Sequence, residues 1–221
     1  MIECGLIEKI VSGDDSDPKA RIARAAIGEF ALRSLDGARI REIAKISGTN
    51  VAAISYHFGG KEGLYNAVVA GMSDYFDKIV GPYYEEGAEI RAAKDYAAAR
   101  KLAVRFLIDS IRKFSTVKIV PALCLIMSRE AASPSEYFQR VYGSIYEKPV
   151  EFLARLFITA SGGRTEHGEA VVFAQALWSN VRIYSSKSEA ILRLHGWRDM
   201  GEPEISLLEK SLSKVLEKTL K

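Results

Sequence analysis

Apolar residues in this chain recur at three- and four-residue spacing along almost its whole length, and nowhere alternate over a useful stretch. That period belongs to a helix with one buried face; a half-buried strand needs a period of two. Clear examples are Ile22, Ala26 and Phe30, then Ala170, Phe173, Ala174, Leu177, Trp178 and Val181, and finally Ile205, Leu208, Leu212, Val215 and Leu216. No repeat of fixed period is present. The pattern predicts an all-α fold with about nine helices.

Punctuation residues divide the chain. Asp17-Pro18 reads as a helix start, an acidic cap followed by proline at the first helical position. Asp36-Gly37 ends that helix, and short helices follow over 40–47 and 51–58. Gly48-Thr49-Asn50 is the turn between them, with Asn50 as N-cap. Gly59-Gly60 closes the second, since glycine adopts the left-handed conformation of a helix end. A helix over 62–80 stops at Gly81-Pro82, and a longer one over 92–114 is apolar nearly all round, as a central helix would be. Helices over 117–131, 133–159 (interrupted at Pro149), 166–185 and from Pro203 complete the chain. Three segments result: a flexible acidic tail (1–17), a small basic unit of three short helices (18–66) and a larger apolar unit (67–221), with the 62–80 helix as connector.

Charge separates the first two. Residues 1–17 hold one lysine and five acids, whereas residues 18–66 hold eight basic residues and four acids, within a chain of net charge +3. Local basicity of this kind suits a polyanion. The two cysteines, Cys4 and Cys124, make no disulfide framework and read as reduced thiols, Cys124 as a small buried hydrophobe. No run of ~20 apolar residues suggests a membrane span. The first residues lack a basic, long-apolar secretory pattern, so a cytoplasmic protein is expected.

Three short helices with a glycine turn between the second and third form the helix-turn-helix arrangement. Eight residues at 1.5 Å rise give ~12 Å, about the width of the major groove of DNA. Ile54 and Phe58, four residues apart, anchor the inner side of the third helix. Val51, Ala52, Ala53, Ser55, Tyr56 and His57 are left facing out. Small alanines suit contact with a thymine methyl, while Ser55, Tyr56 and His57 can donate to phosphate.

Residues 19–66 carry Ile43-Ala44, Gly48, and the run Ala53-Ile54-Ser55-Tyr56-His57-Phe58-Gly59-Gly60-Lys61-Glu62-Gly63-Leu64-Tyr65. This stretch closely resembles the DNA-binding domain of the TetR repressor family. The family often has Thr where Arg39 stands and Tyr where Ser55 stands. The resemblance implies a homodimeric, ligand-responsive regulator without cofactor. It would read a pseudopalindromic double-stranded operator, most simply as a repressor released by a small-molecule effector. By position, Arg41 would reach a base or phosphate, Asn50 and Val51 would begin the recognition helix, and Lys61 would contact phosphate. The larger domain, 67–221, would hold effector and dimer interface. Arg193-Leu194-His195-Gly196-Trp197, with Gly201, Glu204 and Ile205, looks like the CecR-like subgroup. Its last two long helices would form a four-helix bundle with their symmetry mates through Phe173, Leu177, Trp178, Val181, Leu208, Leu212 and Val215.

Phe106, Asp109, Phe114, Met127 and Tyr142 are candidate walls of an effector pocket. Asp109 can instead pair with Arg105 or Arg112. His57, His167 and His195 have no partner at metal-ligand spacing, so no metal is expected. The alternative function, an all-α enzyme with an accessory nucleic-acid-binding module, would need a catalytic constellation in residues 82–221; no nucleophile motif or phosphate-binding glycine loop stands out there.

Overall fold

The computed structural model describes residues 5–220, among which no strand occurs. Its helices in order are α1 (Leu6–Ser12), α2 (Pro18–Gly37), α3 (Ile40–Ile46), α4 (Val51–Phe58), α5 (Lys61–Ala93), α6 (Tyr96–Ser115), α7 (Val120–Ala132), α8 (Phe138–Val141), a π-helical segment (Tyr142–Glu147), α9 (Lys148–Ala160), α10 (His167–Ser185), α11 (Glu189–His195) and α12 (Glu202–Thr219). Cys4 lies outside the described residues. Two compact units result: the chain up to Asp77 with Val117–Ile145, and Lys78–Thr116 with the chain from Tyr146 on. These units divide the chain after Asp77, inside α5, and place residues 117–145 with the first.

In the first unit, Asp17 caps α2 by accepting from the Lys19 amide at 2.8 Å, with Pro18 in the first turn. The predicted face is sealed, with Ile22, Ala23, Ala26, Ile27 and Phe30 all at most 1% exposed. The segment expected to be a flexible tail is instead partly folded. Leu6, Ile7 and Ile10 share one side of α1 and are buried. Ile7 Cγ1 reaches to 3.1 Å from where a side chain at Gly71 would begin, so glycine on α5 makes room for it. Lys9 Nζ bonds Asp17 at 2.8 Å, and Arg24 pairs with Asp15, which ties the acidic run down. A stripe of only three apolar residues is too short to stand out beside that charge.

The second unit is built around α6, which Asp95 caps through the Ala98 amide at 2.9 Å. It packs on α9, α10 and α12, and Leu102, Phe106, Leu107, Ile108 and Ile111 are all at most 2% exposed. Phe106 is the centre of an aromatic group. Trp178 stacks on it at 5.3 Å, and Tyr83 and Phe152 meet it edge-on at 5.4 and 4.9 Å.

Two predicted helix boundaries are corrected. Pro82 does not end its helix; α5 continues to Ala93. An interior proline removes one hydrogen bond and crowds one carbonyl. The turn beyond it compensates by burying Gly87 against Phe152, where a Cβ would come within 2.4 Å of the ring. The 133–159 helix is split into α8, the π segment and α9, with Pro149 in the first turn of α9. That split, with α1 and the short α11, raises the helix number above the expected nine.

Tyr83 donates to Asp109 Oδ2 at 2.8 Å. Burial, with this bond, pushes its phenol up to about 12, whereas an unfolded tyrosine titrates near ~10. The folded chain thus holds the proton longer, so stability present below pH ~10 should be lost as pH rises through 12. Thermal melts between these limits should show a falling midpoint, and Tyr83→Phe should flatten the fall. A wild-type midpoint constant across this range would count against the Tyr83–Asp109 bond.

Candidate nucleic-acid interface

The turn before α4 is fixed by local chemistry. Gly48 has φ 64, which glycine adopts without strain. The Ser47 hydroxyl donates to the Ala44 carbonyl at 3.1 Å and bonds the Thr49 hydroxyl at 2.8 Å. Arg21 Nε on α2 donates to the Ser47 carbonyl at 3.4 Å. Asn50 then caps α4, its side-chain oxygen accepting from the Ala53 amide at 2.8 Å. Gly59, at φ 75, ends the helix by donating to the Ser55 carbonyl.

The inner and outer sides of α4 differ sharply. Ile54 is 0% exposed, whereas Tyr56 is 86% exposed. Asn50, Val51, Ala52 and Ser55 are also exposed, and Ala53, His57 and Phe58 are half-buried. The His57 ring lies edge-on between Tyr56 and Phe58, 5.1 and 6.4 Å away. Ser55 Oγ donates to the Val51 carbonyl at 3.1 Å, which engages its one hydroxyl proton within the helix. Arg41 is exposed on α3. Lys61, at the start of α5, donates to the Asp36 carbonyl at 3.2 Å. An unbroken strip of small, hydroxyl and aromatic side chains therefore lies on a short helix held rigidly from behind.

Sequence patterning did not find the polar brace behind this unit. Glu29 is 5% exposed; its Oε1 accepts from the Arg39 amide, at the start of α3, and from Arg33 Nε, each at 3.1 Å. Glu130 is equally buried and accepts from the Tyr65 hydroxyl at 2.6 Å. Burial, and that bond to a carboxylate, hold the Tyr65 phenol well above the ordinary range. The Glu29–Arg33 spacing was visible as an i, i+4 pair. The Tyr65–Glu130 bond, 65 residues apart in sequence, had no local signal.

The five expected pocket walls are divided between the two units. Phe106 and Phe114 are buried core and Asp109 is held by Tyr83 and Arg112, all in the second unit, while Met127 and Tyr142 belong to the first. Tyr142 is 41% exposed. A cavity of about 190 Å³ in the second unit is lined by Leu107 and Ile111 of α6, Leu177, Asn180, Val181 and Tyr184 of α10, and Leu208, Ser211, Leu212 and Val215 of α12.

The residues expected at a dimer face divide between inward and outward positions within the chain. Trp178 and Val181 turn inward, and Phe173 packs on Phe157 at 5.0 Å. The stripe through Ala170, Ala174, Trp178 and Val181 faces the unit's own interior because α10 packs on both α6 and α9. The outward side of α10 carries Val172, 72% exposed, with Gln175 and Ala176. On α12, Leu208 and Leu212 are half-buried, and Leu207 and Val215 are exposed. Among the described residues, no three His, Cys, Asp or Glu side chains cluster as metal ligands, and no helix is long and apolar enough to cross a membrane.

Residues 22–68 match the family described as bacterial regulatory proteins, tetR family. Over 197 residues, 88% of this chain and 87% of the relative, the sequence is 28% identical to the HTH-type transcriptional dual regulator CecR of Shigella flexneri. The fold is similar to that of a linker-substituted mutant of the protein HlyIIR, with TM-score 0.56 and 20% identity over 89% of this chain and 96% of that one. It is also similar to a TetR-family transcriptional regulator assigned from Mesorhizobium loti, with TM-score 0.53 and 18% identity over 92% and 95% of the two chains.

Proposed function

We propose that the chain is a transcriptional regulator of the TetR family, supported by the match of residues 22–68 and the likeness to CecR, and that it works as a homodimer on a pseudopalindromic DNA operator. Each α4 docks in a major groove, the two centres one helical turn or a multiple of it apart. The observation that carries this is the contrast between Ile54, fully buried, and Tyr56, 86% exposed, on one eight-residue helix. Asn50, Val51, Ala52, Ala53, Ser55, Tyr56 and His57 lie along the groove, with Arg41 and Lys61 flanking them. The regulator acts in the cytoplasm as a repressor, and a small molecule bound in the second unit releases it.

The dimer seam uses the outward sides of α10 and α12. Val172, Leu207 and Val215 are 72%, 52% and 45% exposed in a single chain, and a partner that covered them would remove apolar surface from water. The apolar walls of the α6–α10–α12 cavity favour a small, largely apolar effector. Such a molecule shifts the protein between two states only by binding one of them more tightly, and α5 carries the shift.

The test is selection of bound duplexes from random DNA by the full chain, followed by affinity for the selected duplex. Tyr56→Ala and His57→Ala should each weaken binding by about tenfold, a loss of ~1.4 kcal/mol, with unchanged helical content. Unchanged affinity in both variants overturns the proposed docking. Equal affinity for random DNA would point to sequence-independent binding instead.

A further inference from the structure

Helix α2 is broken near its end: Ser34 has φ 65 and ψ 177 inside it. This positive φ is costly for a residue other than glycine. A helix that breaks leaves carbonyls of its last turn without intrahelical donors. Two carbonyls next to this break receive donors from α7. Arg129 Nη1 donates to the Phe30 carbonyl at 2.7 Å, and Nη2 donates to the Leu32 carbonyl at 3.3 Å. Beyond the break, the Ala38 amide returns to the Ser34 carbonyl at 3.1 Å, and the Arg39 amide reaches buried Glu29. The direction in which α3 departs is therefore set where Arg129 holds the chain.

The neighbouring residue works on the other flank. Glu130 accepts from Tyr65 in the second turn of α5, and its second oxygen accepts from the amide and hydroxyl of Ser135 at 3.2 and 2.8 Å. Two consecutive residues of α7 thus hold the end of α2 and the start of α5, the helices that bracket α3 and α4 in the chain.

We propose that Arg129 is a positioning residue for DNA binding, clamping the Ser34 break and so fixing the pose of α3 and α4 without touching DNA. This rests on the DNA-binding reading of α4. The role suits arginine, whose planar fork presents two donors at once; lysine offers a point charge that can satisfy one carbonyl well.

The experiment uses the full chain and the duplex that the wild type selects from random DNA. Arg129→Ala should lower affinity by about tenfold or more, as expected when charged donors to two carbonyls are lost. The slope of log affinity against log salt should stay unchanged, whereas a lost phosphate contact would flatten it by about one. Arg129→Lys should fall between the two, and carries the test if the alanine variant fails to fold. Ser34→Gly relieves the positive φ and should recover part of the affinity lost in Arg129→Ala. Wild-type affinity in both Arg129 variants, a flattened salt slope, or no recovery with Ser34→Gly overturns the proposal. A readout without DNA is amide exchange over α3, which should quicken in Arg129→Lys; unchanged exchange also overturns it. If the wild type selects no duplex while α3 exchange quickens in the variant, the DNA-binding reading fails and the clamp on α3 stands.

Discussion

Phe106→Ala is expected to destabilise the second unit by about 3–5 kcal/mol, a range typical of removing a fully buried phenylalanine. The ring, on α6, is 0% exposed and meets side chains from three other helices: Tyr83 on α5, Phe152 on α9 and Trp178 on α10. Part of the loss is transfer of the ring to water, and part is the cavity left behind. Neighbours on three separate helices cannot all collapse into that cavity, which favours the upper end of the range. Both tryptophans, Trp178 and Trp197, belong to this unit, so their emission reports its unfolding. The denaturant midpoint followed by tryptophan should fall, with a red shift at lower denaturant as Trp178 loses its stacked partner. Phe106→Leu, which keeps most of the volume, should lose much less. A tryptophan midpoint unchanged in Phe106→Ala would mean that this ring is not the centre of the unit's core.

The contrast between the two units explains what the sequence disclosed. The helix-turn-helix part is written in short-range chemistry: the Asp17-Pro18 start, the Gly48 turn, the Asn50 cap and the Gly59 stop each act within a few residues. Local rules read such signals directly. Ile54 could be assigned to the inner side from its place four residues before Phe58. Apart from the short α1, what the sequence did not disclose is long-range. Arg129 reaches Phe30 across 99 residues, and no local pattern places α7 beside α2. Trp178 was expected at the dimer face because a stripe shows which residues share a side, not what that side meets; α6 and α9 cover it within the chain. Gly81-Pro82 read as a stop because propensity was weighed without the packing of Gly87 on Phe152 beyond it. Aromatic and Met positions at helical spacing mark buried faces, and the five expected pocket residues are shared between the two units.

Ile54→Ala should abolish DNA binding more completely than removal of any outward side chain of α4. Ile54 is the single fully buried side chain of that helix, and truncating a buried isoleucine costs about 2–5 kcal/mol. Eight residues cannot sustain a helix alone in water, because nucleation is unfavourable and few bonds repay it. The Asn50 cap contributes about 1 kcal/mol, less than the anchor removes. The helix should therefore fray, and every contact along it should be lost together rather than one at a time. Affinity for the selected duplex should drop by roughly a hundredfold or more, matching a loss of ~3 kcal/mol. The tryptophan-detected midpoint should move little, since both tryptophans lie in the other unit, while amide exchange across α4 should approach that of an unstructured chain. Ile54→Val, which removes one methylene and costs about 0.5–1.5 kcal/mol, should keep most of the affinity. The ordering Ile54→Ala, then Tyr56→Ala, then Ile54→Val from weakest to strongest binding separates a braced probe from a surface patch. If Tyr56→Ala binds more weakly than Ile54→Ala, the bracing of α4 by Ile54 is not what presents its outer face to DNA.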